Sequence, residues 1–300
     1  MINEYFFCVA ELPFSVIMSN DWDTENLLPS FIPFRCKPQS DMKPAFRLEV
    51  TAKPFCSDIQ GSEKLDDSIN DMGQISLLRH ADGYIIRISY GNTGFMATHT
   101  MTTDRTFSRA TAYLHPGDPY IGNVLSSMLR IQYAQAVLPH DGISIHASCV
   151  CLQGNAYLFL GKSGTGKSTH ARQWLETFSD CILLNDDNPI LRLRKDNTLI
   201  VYGSPWSGKT PCYRNISCPV AGIVRLQQSL TNNFRSLQGP EAFATLLPSC
   251  SAIRQDSLLQ DALYTTLINI VQHTSIGYMQ CRPDKEAAQV CFKTLSDLRS

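Results

Sequence analysis

The sequence predicts an α/β protein in which a β-rich N-terminal region precedes a mixed-sheet α/β domain. Short apolar runs broken by Pro, Gly and Asp fill residues 1–115 and are typical of strands and turns. Residues 157–178 combine an apolar run, a glycine-rich loop and a helix-like stretch. Helical periodicity recurs within residues 227–300, at 240–247, 256–273 and 285–298, and we expect residues 227–300 to close the fold.

The composition excludes several classes of protein. With 26 basic and 27 acidic residues the net charge is −1, so no overall attraction draws the chain to nucleic acid or to an anionic membrane. The chain lacks a basic leader with a long apolar core and any apolar stretch of about eighteen residues, so we expect a cytoplasmic protein. Its 11 cysteines include no C-x-x-C pair and no zinc-like spacing, which favours buried free thiols.

Residues 1–117 form the first predicted domain, which is β-rich and of unknown role. Its clearest predicted strands are residues 6–10, 45–51, 83–90 and 95–100. Pro-Phe and Lys-Pro pairs suit edge strands and turns, and residues 57–73 are polar enough to form a mobile loop. His80 and His99 fit turn or strand-end positions better than ligand positions.

Residues 118–300 form the second predicted domain, which begins after a turn-rich segment. Residues 120–138 have the broad apolar face of a helix. Two apolar runs follow, at 143–152 and 156–160, and the Gln-Gly-Asn sequence between them predicts a hairpin turn. The later predicted elements are strands at 198–201, 221–226 and 276–281 and helices at 240–247, 256–273 and 285–298.

Residues 161–168 read Gly-Lys-Ser-Gly-Thr-Gly-Lys-Ser, a complete G-x-x-x-x-G-K-[ST] phosphate loop between a predicted strand and a predicted helix. Its glycines let backbone N–H groups turn toward an anion, Lys167 can reach the β- and γ-phosphates, and Ser168 offers a hydroxyl to Mg²⁺. The alternative is an ordinary glycine-rich turn before a helix. The candidate nucleotide-binding residues are Gly161, Lys162, Ser163, Gly164, Thr165, Gly166, Lys167, Ser168 and Thr169.

The predicted hairpin brings a histidine to this loop. Antiparallel register pairs residues that are symmetric about the turn, so His146 falls opposite roughly residues 161–163. One interpretation is a chemical role for His146 beside a bound phosphate, because histidine is the side chain whose ordinary charge change falls in the physiological pH range. A half-buried strand histidine without a chemical role is the alternative, and the spacing alone does not separate the two.

Two adjacent carboxylates, Asp186 and Asp187, end the next apolar run. A phosphate-loop enzyme needs a metal-organising acidic group at such a position. Successive strand residues point to opposite faces, so one carboxylate can hold Mg²⁺ while the other acts as a general base. An Asx turn that caps a surface strand is the alternative, because residues 185–189 have good turn chemistry.

A loop rich in Gly and Pro at residues 202–215 carries two cations, Lys209 and Arg214. Either cation can neutralise charge on a transferring phosphoryl group. The alternative is a solvated lysine and an arginine bonded to carbonyl groups. Composition leaves this choice open.

The ordered set of His146, the phosphate loop, the Asp186-Asp187 pair and residues 209–215 resembles the catalytic domain of the HPr kinase/phosphorylase family. It is more distantly similar to the nucleotide fold of ATP-dependent phosphoenolpyruvate carboxykinases. The resemblance covers about residues 140–226 and implies a mixed-sheet P-loop kinase domain of that type. It implies His146 near the reacting phosphate, Lys167 on the phosphates, Ser168 and Asp187 on Mg²⁺, Asp186 as base and Arg214 as charge stabiliser.

We therefore expect an enzyme, a kinase that uses ATP and Mg²⁺ to phosphorylate a hydroxyl group. The expected acceptor is a serine of a small protein or peptide, or else a small metabolite. One alternative is an accessory or sensor module that binds ATP without transferring phosphate. Carboxykinase chemistry on oxaloacetate is a further alternative, against which the sequence lacks an evident second metal and dicarboxylate site. The acceptor, any reverse dephosphorylation and the oligomeric state are open.

Overall fold

The computed structural model describes residues 1–38, 42–56, 61–70, 73–89, 97–208 and 210–298. The chain divides into an N-terminal unit, Met1–Val137, and a C-terminal unit, Leu138–Ser300. The sequence placed the boundary at 117/118, so the two divisions differ by one helix, which belongs to the N-terminal unit. Each unit is built on one mixed sheet in its described residues, and the predicted α/β class is confirmed at this level.

Eight strands form the described sheet of the N-terminal unit. They are β1 (Ile2–Val9), β2 (Leu12–Ser19), β3 (Arg47–Thr51), β4 (Glu63–Asn70), β5 (Gly73–His80), β6 (Gly83–Ser89), β7 (Thr98–Asp104) and β8 (Arg109–Tyr113). Their order is β1-β2-β3-β8-β7-β6-β5-β4, and β3 runs parallel to both β2 and β8. Helices α1 (Thr24–Leu27) and α2 (Ile121–Ala136) and a 3-10 helix, Pro29–Phe34, complete the unit.

Helix α2 buries its apolar face in the core of the N-terminal unit, which confirms the helix predicted at 120–138. Tyr133 of α2 donates its hydroxyl to the carbonyl of Val9 at 2.9 Å. Its ring meets the edge of Phe14, which stacks on Phe46 at 4.6 Å. Offset aromatic packing of this kind stabilises a core beyond the burial of area alone.

The loop predicted at 57–73 is wrong for residues 63–70, which form β4. This strand pairs with β5 in a hairpin and lies at the edge of the sheet. Polar side chains are tolerated at a sheet edge, so backbone pairing rather than apolar alternation defines the strand. Residues 57–60 and 71–72 lie outside the described part of the chain, as do residues 90–96, on which the predicted strands at 83–90 and 95–100 partly fall.

The prediction that the Pro-Phe and Lys-Pro pairs lie in edge strands and turns is wrong for two prolines. Pro33 lies inside the 3-10 helix rather than in a turn or an edge strand. Pro13 lies in β2, which is flanked by β1 and β3. It is the second residue of that strand, and its carbonyl accepts from the N–H of Ala45 at 2.7 Å. Proline is tolerated there because a strand end needs fewer ladder donors than its middle.

The C-terminal unit begins with a 3-10 helix, Leu138–His140, and contains nine described strands and four described helices. The strands are β9 (Gly142–Ser144), β10 (Ala147–Leu152), β11 (Asn155–Leu160), β12 (Ile182–Asp187), β13 (Ile190–Leu193), β14 (Leu199–Tyr202), β15 (Ser217–Gln228), β16 (Asn233–Leu237) and β17 (Ile276–Cys281). The helices are α3 (Lys167–Thr177), α4 (Gly239–Leu246), α5 (Ser257–His273) and α6 (Lys285–Asp297), and a 3-10 helix, Leu247–Ser249, follows α4.

The sheet of the C-terminal unit runs β12-β10-β11-β15-β14-β13-β9, with β17 beside β15 and β16 beside β17. The hairpin of β10 and β11 is confirmed, and its turn residues Gln153 and Gly154 have φ of 52° and 75°. The run predicted as one strand at 143–152 is split into β9 and β10, because β9 pairs with β13 whereas β10 pairs with β11 and β12.

Helices α3 and α6 cover one face of this sheet. Trp174 of α3 is fully buried and contacts Tyr157 and Phe159 of β11 and Phe292 of α6. This aromatic cluster holds α3 against β11, so the loop that joins the two elements has fixed ends.

The expectation of free thiols throughout is wrong for Cys151 and Cys218, which form a disulfide. Cys151 pairs with Ala156 in the hairpin, and Ala156 pairs with Val220 of β15. This pairing brings together two cysteines that are 67 residues apart in sequence. The other nine cysteines, all described, are free. Among the described helices, none is long and apolar enough to span a membrane.

Candidate functional site

The glycine-rich loop joins β11 to α3 and has the backbone of an anion cradle. Gly164 and Gly166 have φ of 79° and 103°, in the left-handed region that favours glycine. A side chain at Gly161 would come within 2.9 Å of Thr165. Gly166 caps α3 without a side-chain hydrogen bond, so a bound anion can take that role for the first-turn N–H groups.

Lys167, the first residue of α3, folds back over the loop. Its Nζ donates to the carbonyl of Gly161 at 3.0 Å and lies 2.8 Å from Nε2 of His146. Burial lowers the pKa of Lys167, and the Asp187 and Asp186 carboxylates act in the opposite direction. An ammonium group can only donate, so this contact requires His146 to carry its proton on Nδ1.

His146 lies between β9 and β10, beside the loop. Ala147 pairs with Leu160, so the hairpin register puts His146 next to Gly161, within the range predicted from the symmetry of the hairpin. The N–H of His146 donates to the carbonyl of Ser249 at 2.7 Å. Its Nδ1 lies 2.9 Å from Oδ1 of Asp187, so the imidazole joins the lysine of the loop to the acidic pair.

The two carboxylates have different partners. Oδ1 of Asp186 accepts from the hydroxyl of Ser168 at 2.9 Å and from that of Ser148, and Asp186 is only 4% exposed. Asp187 instead contacts His146. The resemblance implies Asp186 as base and Asp187 as metal ligand. The loop serine lies against Asp186 and the histidine lies against Asp187, so the two carboxylates have separate surroundings.

Asn185 holds the backbone of the Asp186-Asp187 pair in place, a role that the sequence analysis did not predict. Its side-chain carbonyl accepts from the backbone N–H groups of Asp187 at 3.1 Å and Asn188 at 2.9 Å. Its amide donates to the carbonyls of Ser204 and Trp206 at 3.4 and 3.1 Å. Asn185 is fully buried, so it holds the strand end and the loop beginning at residue 203 together. The Asx-turn pattern at residues 185–189 was the available signal.

The structure describes only one of the two cations in the loop at residues 202–215. Arg214 is exposed and makes no ion pair within the described part of the chain. Lys209 lies outside the described residues. A different arginine, Arg225 of β15, is linked to His146 through Ser249. Its Nη2 donates to Oγ of Ser249 at 3.0 Å, and the Ser249 carbonyl accepts from the backbone N–H of His146. Nothing in the sequence around Arg225 marks it, because its strand reads as an ordinary apolar run.

The donor set suits a hard cation. Ser168, Asp186 and Asp187 offer hydroxyl and carboxylate oxygens, the ligands that Mg²⁺ prefers. The described residues contain no cluster of three or more His, Cys, Asp or Glu side chains that could enclose a metal. Mg²⁺ usually binds one or two carboxylates and completes its shell with water and phosphate, so these residues fit it.

No family model matches the chain, and no curated protein matches its sequence. Among solved structures, the Hpr(Ser) kinase/phosphatase from Coxiella burnetii is similar with a TM-score of 0.31 and 12% sequence identity. The match covers 52% of this chain and 90% of that chain. A likeness at this TM-score carries no inference about function, so the function must be argued from the site.

Proposed function

We propose that this protein is a Mg·ATP-dependent phosphotransferase that transfers the γ-phosphoryl group to a hydroxyl. The observation that carries the proposal is the convergence of three separate segments. The loop lysine, Lys167, contacts His146, which contacts Asp187, while Ser168 of the same loop contacts Asp186. A simple glycine-rich turn has no need for these partners.

Each residue has a role that follows from its position. Lys167 and the first N–H groups of α3 bind phosphate oxygens. Ser168 and Asp186 hold Mg²⁺, since their side chains already share a hydrogen bond. When bound, Mg·ATP supplies the phosphoryl group, and its Mg²⁺ neutralises part of the charge on the phosphates.

Asp187 acts as the base that accepts the proton of the acceptor hydroxyl. His146 contacts this carboxylate at Nδ1 and orients it. At Nε2 the imidazole accepts from Lys167, so one neutral tautomer serves both contacts. When Lys167 turns to a phosphate, His146 keeps its hydrogen bond to Asp187. This arrangement separates metal binding from proton transfer across the two faces of β12.

The first experiment incubates the protein with Mg·ATP labelled at the γ-phosphate and a size-fractionated cell extract, beside Lys167→Ala. We expect label in a peptide, a small protein or a small metabolite, and no label with the variant. Saturable ATP binding without any labelled acceptor would instead support an accessory module that binds nucleotide without transfer. Formation of phosphoenolpyruvate from oxaloacetate would indicate carboxykinase chemistry.

A pair of isosteric variants tests the division of roles. Asp187→Asn should lose turnover about 10²- to 10⁴-fold and retain Mg²⁺-dependent ATP binding. Asp186→Asn should weaken the Mg²⁺ dependence of ATP binding itself. Asp261→Asn, at an exposed position of α5, is the matched control and should leave both quantities unchanged. Normal turnover of Asp187→Asn would reject this residue as the base.

A further inference from the structure

Arg225 is a half-buried cation that has only neutral partners. Its Nε and Nη2 donate to the carbonyl of Thr245 at 2.9 and 2.6 Å, and Nη2 also donates to Oγ of Ser249 at 3.0 Å. Within the described residues no carboxylate pairs with this guanidinium, and no acceptor is bonded to Nη1. The two N–H groups of Nη1 are therefore available to another partner.

The fold brings Arg225 to the start of the phosphate loop. Arg225 pairs with Leu160 in the parallel register of β11 and β15, and Gly161 is the next residue of the chain. The Gly161 carbonyl accepts from Lys167. On the other side, Ser249 binds the guanidinium through its hydroxyl and the N–H of His146 through its carbonyl. Arg225 is thus two hydrogen bonds away from the backbone N–H of His146, the residue whose imidazole contacts Lys167.

The charges of Lys167 and Arg225 lie close enough to interact, and no carboxylate pairs with Arg225 in the described part of the chain. Burial is the main cause that lowers the pKa of both Lys167 and Arg225, and the charge of Arg225 contributes to the shift at Lys167. A cation removed from water is stabilised by an anion that it can hydrogen-bond. A terminal phosphate carries oxygens that can bind both cations at once.

We propose that Arg225 is a substrate-binding residue whose Nη1 donates to the γ-phosphate of ATP and stabilises the charge of the transferring group. This inference rests on the proposed function and assigns to a strand arginine the role that the family resemblance implies for Arg214. It follows that Arg225 distinguishes ATP from ADP, because only ATP carries the oxygens it contacts.

A purely structural role gives a different result. Arg225 also fixes the Thr245 carbonyl in the last turn of α4, and loss of that contact alone would weaken ATP and ADP binding equally. The ratio of the two dissociation constants is therefore the quantity to measure, by calorimetry with Mg·ATP and Mg·ADP. Arg225→Gln and Arg225→Lys are the test variants. Arg235→Gln, which removes an exposed cation of β16 that pairs with Glu241 of α4, is the matched control.

We expect Arg225→Gln to weaken ATP binding about tenfold to a hundredfold and ADP binding less than threefold, and Arg225→Lys to give an intermediate ratio. Arg235→Gln should leave the ratio unchanged. An unchanged ratio of the ATP and ADP dissociation constants in both Arg225 variants would overturn the inference. If Arg225→Gln does not fold, the ratio in Arg225→Lys alone decides. If the unaltered protein binds no nucleotide, the proposed function itself fails and this inference fails with it. ATP binding that depends on Lys167 but not on Arg225 refutes only the inference.

Discussion

The substitution Asn185→Ala tests whether one buried amide holds the acidic pair in place. The side chain of Asn185 accepts from two backbone N–H groups, those of Asp187 and Asn188, and donates to two backbone carbonyls. Alanine leaves the two N–H groups without this acceptor. A buried donor left unsatisfied costs about 1–3 kcal/mol. Asn188 is 3% exposed whereas Asp187 is half-buried, so we expect a total loss of about 3 kcal/mol.

Urea unfolding followed by tryptophan fluorescence measures this loss. Trp174 and Trp206 are buried in the C-terminal unit and report on its unfolding. For a unit of this size 1 kcal/mol corresponds to about 2–4 °C in Tm, so we expect a decrease of about 6–12 °C. ATP affinity should fall in parallel, because the strand end that carries the carboxylates loses its support.

The matched control is Asn269→Ala. Asn269 is half-buried on α5, and its amide donates only to the carbonyl of Thr265 in the same helix. We expect a change within about 0.5 kcal/mol for this variant. A loss below about 1 kcal/mol for Asn185→Ala, or an equal loss for both variants, would refute the claim that the amide fixes the acidic pair.

Three further predictions concern stability. Burial lowers the pKa of His170 to about 4 from 6.5, so the unfolded chain binds the proton first and stability falls as pH falls through this window; between pH 7 and 5 the protein should lose about 2 kcal/mol more than His170→Asn in urea unfolding, and equal losses would contradict this. Reduction of the Cys151–Cys218 bond, which closes 67 residues, should lower the unfolding free energy by about 4 kcal/mol, and a double Cys→Ser variant should show no response to reductant. Gly166→Ala should cost about 1–2 kcal/mol because φ there is 103°, whereas Gly117→Ala should cost less than about 0.5 kcal/mol; equal thermal shifts would count against backbone strain at the loop.

The position of His146 could be predicted from sequence because it depends on local geometry. A hairpin with a short turn has a fixed register, so the residue opposite Gly161 follows from counting. The adjacent carboxylates could be found for the same reason, since an apolar run that ends in Asp186 and Asp187 marks a strand end. The partners of Asp186 could not, because Ser148 and Ser168 come from β10 and α3, whose arrangement is a property of the tertiary fold.

The sequence analysis did not predict the positions of Arg225 and Asn185 or the edge strand β4, for a related reason. A lone arginine in an apolar strand has no local signature, and its partners Thr245 and Ser249 are some twenty residues further along the chain. β4 is polar because it lies at an edge, where pairing satisfies the backbone without burial of side chains. Apolar periodicity detects burial, and so it misses elements that are defined by hydrogen bonding.

The start of α3 lacks a capping side chain that two other helices of the C-terminal unit have. Helices α5 and α6 begin with Asp256 and Asp284, whose carboxylates accept from backbone N–H groups of the first turn. Helix α3 begins instead after Gly166, which offers no side-chain acceptor. A good N-cap stabilises a helix by about 1 kcal/mol, a contribution that α3 lacks. The positive φ of Gly166 disfavours any side chain there, and a carboxylate at this end of the helix would repel a phosphate. Because Trp174 already anchors the helix in the core, the fold can leave this end to an anion.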